Sequence, residues 1–547
     1  MPNHKVIAPW VFGLTTLFYV FTLLPSLAWG DGVKLQSEAI AGESFVLAEM
    51  APDQFSPDPY IFSRVGVAAW DHPLYIVMGH LVVRAFPLMD ALWLVNLLSA
   101  VFGAASVALV FLLAFRFTGS LPASCYAGFS LAVSHTFWWH ASTPEVYTLF
   151  IFLLLLSFYF FDRFERTDEY AFLAWSAFFL GLAASTHILA FLAIPALSLY
   201  YFLSRGHRSF HVYDLKKLTI PAFGFLPGFS LYIIQSIRLS ASFSLDELIG
   251  PVLGSTFLSQ LGAFSPLLLG ESLLTYLFFL TVQFSPVGLI LGVLGLRKVF
   301  AAQEVLSRKI IAFFIVFALF GIFYRVTDQF TFFLASYVFW AILIGIGSVH
   351  AFGRIPEKWR LLLSIVLGLV LLATPFFYNA MPHLAERYAI TDDAIGIPRI
   401  GTGIRNGLAY YMNPNKRGDS SAYDFGHQTI SDLAPGAVVI AQWYTDTDEY
   451  FILRYFTKVE KVRSDMTVVG WPAQDPFSFE SQLVLDVIAD SSPERPIYLA
   501  SLSDRYYAAS KLIELYCIVP EHNLYRLYPK EDKKPQPQCL GADSITE

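Results

Sequence analysis

Charge is what this sequence has least of. Only 14% of its 547 residues are Asp, Glu, Lys or Arg, while 56% are hydrophobic. Soluble domains carry roughly a quarter charged residues. A deficit of this size excludes a chain bathed on all sides by water and points to a bilayer as solvent. Basic residues never run longer than two, and the net charge is −7, which excludes the basic face a nucleic-acid binder needs. Three cysteines are too few for a disulfide scaffold or a zinc cluster. Cys517 and Cys539 can pair if their part of the chain lies in an oxidising compartment. No Walker loop, GxGxxG fingerprint, HExxH or GxSxG is present, so nucleotide, zinc-protease and serine-hydrolase chemistry lack their usual signatures. Nor is there an Asn-x-Ser/Thr site, which favours a bacterial inner membrane over an endoplasmic reticulum.

What is present is apolar length. A spanning helix needs about 20 mostly apolar residues. Such runs centre near Thr16, Ala105, Leu131, Leu154, Phe178, Ile194, Phe225, Phe279, Val316, Trp340 and Leu367. They predict a polytopic α-helical membrane protein with about eleven transmembrane helices. The run from Ile7 to Trp29 lacks the basic start of a cleaved signal and reads as the first of them. The pair of runs flanking His187 can also be read as one broken helix. Lys and Arg mark cytoplasmic loops. Arg163 with Arg166, Arg205 with Lys217, Arg297 with Arg308, and Arg354 with Arg360 fall in connections on one side, as does Lys5. The N-terminus is therefore expected in the cytoplasm and the chain after Asn379 outside it.

Composition changes after residue 379. Strand-like runs at Ala437–Ala441, Met466–Val469 and Pro496–Ala500 alternate with helical stretches at Asp448–Phe456 and Ala508–Leu515, which predicts a small α/β domain. The expected division is a transmembrane domain over 1–379, an extracytoplasmic soluble α/β domain over 380–530 and a disordered tail over 531–547.

The first outer loop is the richest in chemistry. Trp29-Gly30-Asp31-Gly32 puts a carboxylate at the expected end of the first helix. Burial at that boundary raises a carboxyl pKa and suits it to general-base work; a helix-capping turn is the plain alternative. Val33–Met50 has the pattern of a helix lying in the interface. Asp71-His72-Pro73 then leads into an apolar run with His80 and Arg84, read as an interfacial or re-entrant helix. Between the third and fourth runs lies Phe137-Trp138-Trp139-His140, then Pro144-Glu145-Val146-Tyr147. Ionisable groups at a membrane boundary are costly and so are candidates for function, although Pro and Glu also simply start helices. His187 sits in an apolar run. Arg238 and Arg325 end outer helices, where each can hold a phosphate or snorkel to headgroups. Asp328 lies in a tight hairpin. Thr445–Glu449 can bind a hard cation or, preferably, cap the following helix.

Together these segments resemble the family that includes transmembrane protein 260, within the C-type glycosyltransferase superfamily. The family's Gly-Asp-Ser-Gly-Glu is similar to Gly30-Asp31-Gly32-Val33-Lys34, with Lys34 in place of the acidic residue. Its His-Pro motif resembles the shorter His72-Pro73-Leu74-Tyr75, and its Phe-Trp and Ala-Glu-Val-Tyr resemble Phe137-Trp138 and Pro144–Tyr147. Asn-His resembles Thr186-His187, Leu-Arg resembles Ile237-Arg238, and a later Asp and Ser-Tyr resemble Asp328 and Ser336-Tyr337. The resemblance implies a C-type glycosyltransferase fold and sugar transfer, with inversion, from a polyprenyl-phosphate donor to an extracytoplasmic protein or glycan. It implies Asp31 as general base, with Arg238, His187 and Arg325 holding the lipid phosphate. His72 and Glu145 would line the acceptor side, with Asp71, Tyr147 and Asp328 among the substrate contacts. It implies the lipid-linked sugar as co-substrate, names no metal ligands and leaves a divalent metal open. A transporter or lipid-handling protein, or an inactive relative acting as a binding module, is the competing reading.

Overall fold

The computed structural model describes residues 4–42, 72–204, 215–239, 266–301, 307–324, 326, 328–391, 407–441, 449–470, 482–491, 495–530 and 538–545. Lipid offers the backbone no hydrogen-bond partner, so the apolar runs satisfy themselves as helices. In chain order these are α1 (His4–Phe21), α2 (Asp31–Ala41), α3 (Pro73–Ala85), α4 (Ala91–Thr118), α5 (Leu121–Ala132), α6 (His135–Ser142), α7 (Tyr147–Thr167), α8 (Tyr170–Ala184), α9 (Ala193–Leu203), α10 (Leu215–Leu239), α11 (Pro266–Ala301), α12 (Arg308–Phe323), α13 (Gln329–Phe332), α14 (Leu334–Arg354) and α15 (Glu357–Arg387).

Six of them, namely α1, α4, α7, α11, α14 and α15, are long and apolar enough to cross a membrane. The other predicted runs also form helices, but α5, α8, α9 and α12 are shorter, and α10 carries Pro221 and Pro227 inside it. The Leu131 run stops early because Val133 leaves helical geometry and extended Ser134 starts α6. Around His187 the chain breaks, with a 3-10 turn over Ile188–Leu192 separating α8 from α9. Close helix packing relies on small residues. A side chain on Gly181 or Gly228 would strike the backbone of the facing helix, so α8 and α10 lie against each other there.

At the end of the bundle away from α2, Asp162 of α7 gathers three cations. Lys309 of α12 lies 2.7 Å away and Arg166 of α7 3.2 Å away, and Arg116 of α4 also bonds it. Asp162 and Lys309 are wholly buried.

The expected interfacial helix over Val33–Met50 is corrected over 33–42; residues 43–50 lie outside the described residues. The helix α2 starts at Asp31 and stops at Ala41, where Gly42 turns left-handed. Residues Gly32 to Ala39 are all buried, including Lys34 and Glu38, which approach each other at 3.8 Å. The polar stripe reads as a wet face in the sequence but is buried, and Val33 and Ile40 of the same helix pack on the core of the C-terminal domain.

That domain adds α16 (Gly407–Met412), α17 (Ser421–Asp432), α18 (Glu449–Arg454), α19 (Gln482–Asp490), α20 (Asp504–Tyr507) and α21 (Ala509–Leu515) around five strands. The strands are β1 (Val438–Ile440), β2 (Thr467–Val469), β3 (Ile497–Leu499), β4 (Tyr516–Glu521) and β5 (Leu524–Pro529), in the order β2-β1-β3-β5-β4. The first three pair in parallel, and β5 runs antiparallel to β3 and β4. The hairpin β4–β5 is absent from the strands expected from sequence. Its signal is His522-Asn523, both left-handed, the backbone a two-residue hairpin turn demands.

Two expected boundaries shift. Helix α15 runs through residue 379 to Arg387. The tail expected over 531–547 is anchored where it is described: Cys539 is bonded to Cys517, Leu540 N–H donates to Ile518 O at 2.9 Å, and Leu540 and Ile545 pack on the domain core. That core also takes in Leu27, Trp29, Val33, Leu92 and Trp139 from the helical part.

Candidate active site

The link from α1 to α2 carries Asp31 and is held by a buried amide pair. Gln36 Nε2 donates to Asn96 Oδ1 at 2.7 Å and to Ser26 O at 3.1 Å, while its Oε1 accepts from Ala28 N–H at 2.9 Å. Asn96 Nδ2 donates to Leu24 O at 2.9 Å and Ser26 O at 3.0 Å. The carbonyls of Leu24 and Ser26 and the N–H of Ala28 are thereby tied to α2 or α4, which gives these buried backbone groups partners. Gly30 then adopts φ 66° and ψ −143°, a region essentially open only to glycine. A Cβ on Gly32 would lie 3.1 Å from Pro144 Cγ and 3.2 Å from Pro144 O, so the absent side chain is what lets the start of α2 approach Pro144-Glu145. Asp31 is exposed as the first residue of α2.

Glu145 precedes α7 and is fixed through its backbone. Its N–H donates to Ser99 Oγ, and Ser99 Oγ bonds its carbonyl, each at 3.0 Å. Asp328 lies between α12 and α13. Burial and then the charges of Asp31 and Asp328 raise the Glu145 pKa. Burial, followed by Asp31, brings Asp328 up to about 6. Asp31, Glu145 and Asp328 thus feel one another as an acidic cluster.

His72 and His187 form the other side. His72 Nδ1 lies 2.7 Å from Thr186 O and Leu74 N–H donates to Ser185 O at 3.2 Å, so the segment before α3 caps carbonyls that the end of α8 leaves open. His72 is left-handed, with φ 41° and ψ 56°, and for a non-glycine this costs roughly 1–3 kcal/mol. Its ring stacks on His187 with centroids 5.4 Å apart. Tyr147 lies 5.1 Å from the His187 ring and 4.8 Å from that of His140, whose Nε2 lies 3.2 Å from Thr331 Oγ1. Burial and then Lys34 lower His72 to about 4; burial and then His72 hold His187 well below the ordinary histidine range.

Asp31, His72, Glu145, Tyr147, His187 and Asp328 therefore converge at one end of the bundle. Asp71, Arg325 and the side chain of Arg238 lie outside the described residues, as does most of the Thr445–Glu449 stretch, whose Glu449 opens α18 in the buried core of the domain. No group of three or more His, Cys, Asp or Glu able to hold a metal is found among the described residues. Ser99, Asn96 and Gln36 are missed by the sequence reading, since small polar residues in apolar runs pass for helix interior and Gln36 passes for part of a wet helix face. The Trp29-Trp139 docking points are missed too: Trp29 Nε1 donates to Ser421 Oγ at 3.0 Å and Trp139 Nε1 to Tyr410 O at 3.3 Å.

This helical arrangement with its C-terminal sheet domain matches solved structures along nearly the whole chain. ArnT from Cupriavidus metallidurans in the apo state superposes with a TM-score of 0.57 at 14% identity, covering 96% of this chain and 98% of that one. ArnT from the same organism bound to undecaprenyl phosphate gives 0.55 at 12% identity, covering 96% and 97%. The fold is that of ArnT. Residues 71–209 match the family described as the protein O-mannosyl-transferase TMEM260 N-terminal domain, the segment from Asp71 to α9 that carries His72, Glu145, Tyr147 and His187. No curated protein sequence matches the chain. The expected C-type fold and the resemblance to the transmembrane protein 260 family both hold, and with its apolar helices the chain is an integral membrane protein.

Proposed function

We propose that this protein is a glycosyltransferase that moves a sugar from a polyprenyl-phosphate donor to an extracytoplasmic acceptor. The observation that carries this reading is the exposed Asp31 at the start of α2, beside Glu145 and Asp328, within a C-type glycosyltransferase fold. The family match supports sugar transfer to a hydroxyl, and the lipid bound to ArnT supports a polyprenyl-phosphate carrier.

In this reading the Asp31 carboxylate takes the proton of the acceptor hydroxyl as its oxygen attacks the anomeric carbon. The bond from that carbon to the phosphate oxygen breaks, the anomeric configuration inverts and polyprenyl phosphate leaves. Asp31 suits the base better than its two neighbours because it is exposed while burial raises theirs. Arg238 and Arg325 are the candidates for the leaving phosphate, where a guanidinium fork gives charge-assisted bonds. A lipid-linked donor in the bilayer fits a site at the end of the helices, and the sheet domain on the same face fits recognition of a protein or glycan acceptor.

The test is transfer of labelled sugar from polyprenyl-phosphate-mannose by purified protein to envelope proteins of its host. Asp31→Asn is expected to lower the rate about 10²- to 10⁴-fold, the range for a general base. Full activity in that variant removes Asp31 from the role.

A further inference from the structure

The hydrogen bonds of His72 and His187 fix which nitrogen carries each proton. A carbonyl only accepts, so the 2.7 Å contact of His72 Nδ1 with Thr186 O puts the proton on Nδ1 and leaves a lone pair on Nε2. His187 Nδ1 accepts from Leu189 N–H at 3.1 Å, so in the neutral ring the proton sits on Nε2. The stacked rings, 21° from parallel with centroids 5.4 Å apart, therefore carry one bare acceptor and one donor. Neither Nε2 has a hydrogen-bond partner among the described residues, and both side chains are only partly buried. The left-handed backbone of His72 shows that this placement is maintained against a local cost. Burial keeps both rings neutral near pH 7, and a neutral ring gives a phosphate no charge assistance.

We propose that His72 and His187 form a subsite that reads two hydroxyl groups of a neutral sugar, His72 Nε2 accepting one O–H and His187 Nε2–H donating to a second oxygen. This rests on the transferase reading and moves His187 from the phosphate to the sugar. With the C6 hydroxyl as the one His72 accepts, a hexuronate presents a carboxylate there that offers no proton, so the pair favours a hexose over a hexuronate.

Binding separates these roles. The full-length protein in detergent is titrated with polyprenyl-phosphate-mannose, -glucose, -galactose and -glucuronate and with bare polyprenyl phosphate. At least one neutral sugar is expected to tighten binding tenfold or more over the bare lipid, and glucuronate to add less. His72→Phe and His187→Phe are each expected to lose about three- to tenfold of that gain, the effect of one neutral hydrogen bond. Their affinity for bare lipid is expected to stay. The Gln variants, which can present an oxygen or an N–H at the same reach, are expected to restore most of it. An unchanged sugar gain in both Phe variants, or an equal loss for bare lipid, overturns the proposal. Absence of binding of every lipid to the wild-type protein overturns the transferase reading itself.

Discussion

Lys309 Nζ lies 2.7 Å from Asp162 Oδ1, with both side chains wholly buried. Arg116 and Arg166 turn onto the same carboxylate, so one anion joins α4, α7 and α12. Removing one partner of a buried pair costs about 3–5 kcal/mol, because the remaining charges are left without compensation. Asp162→Ala is expected to lose about that much, and Lys309→Met less, since Arg116 and Arg166 still answer the carboxylate. Unfolding midpoints in detergent give the order; equal midpoints for Asp162→Ala and wild type would show that the cluster contributes nothing.

Asp328 predicts a pH effect. Its pKa stands at about 6 against an ordinary 3.8, through burial and then the charge of Asp31. The folded protein therefore keeps a proton that the unfolded chain has lost. Stability falls as pH rises from about 4 to about 6 and levels off above that. Asp328→Asn cannot lose that proton, so it flattens this slope and is more stable than wild type at pH 7 by on the order of 3 kcal/mol. A melting profile across that range, unchanged by the substitution, would remove Asp328 from the acidic cluster.

Trp29 tests how the sheet domain acts on the site. Its indole bonds Ser421, packs 5.5 Å from Phe425 and is followed directly by Gly30 and Asp31. Burying a tryptophan contributes about 3–5 kcal/mol, and here the socket belongs to the domain core. Trp29→Ala is expected to lower kcat at least tenfold with a smaller change in KM for the lipid donor, and Trp29→Phe to recover most of it. A variant altered only in thermal stability would make Trp29 a packing residue and no more.

The disulfide Cys517–Cys539 closes a span of 22 residues. A loop of that size is worth about 3 kcal/mol. Cys517→Ser with Cys539→Ser, or reductant alone, is expected to lower the unfolding midpoint of the sheet domain while the helical part keeps its own. Thiol labelling of the native protein without reductant should report Cys125 alone; labelling at Cys517 would mean that the bond does not form.

The sequence is read most easily where solvent decides structure. Leu154, Trp340 and Leu367 lie in runs that only a bilayer explains, and each lies in a helix long enough to span. Asp31 and Glu145 stand out because carboxylates at a membrane boundary are rare. What stays hidden is set by distance along the chain. His72 meets Thr186 across 114 residues and Gln36 meets Asn96 across 60, and no local pattern encodes either. Lys34 and Glu38 mislead for a related reason: on a helix of this pattern they look wet, and only the tertiary packing around α2 makes them buried. Cys517 and Cys539 leave their pairing open in the sequence, since spacing alone does not bring two sulfurs together.

Trp29 and Ser421 are 392 positions apart, and that interval sets an order of synthesis. The carboxylate that opens α2 is made among the first residues, but the socket that seats its neighbour emerges only after the whole helical bundle. Until the sheet domain closes on Trp29, the link that carries Asp31 has only its contacts within the helical part. Completion of the end that carries Asp31 is thereby a late event, timed by arrival of the last-made domain.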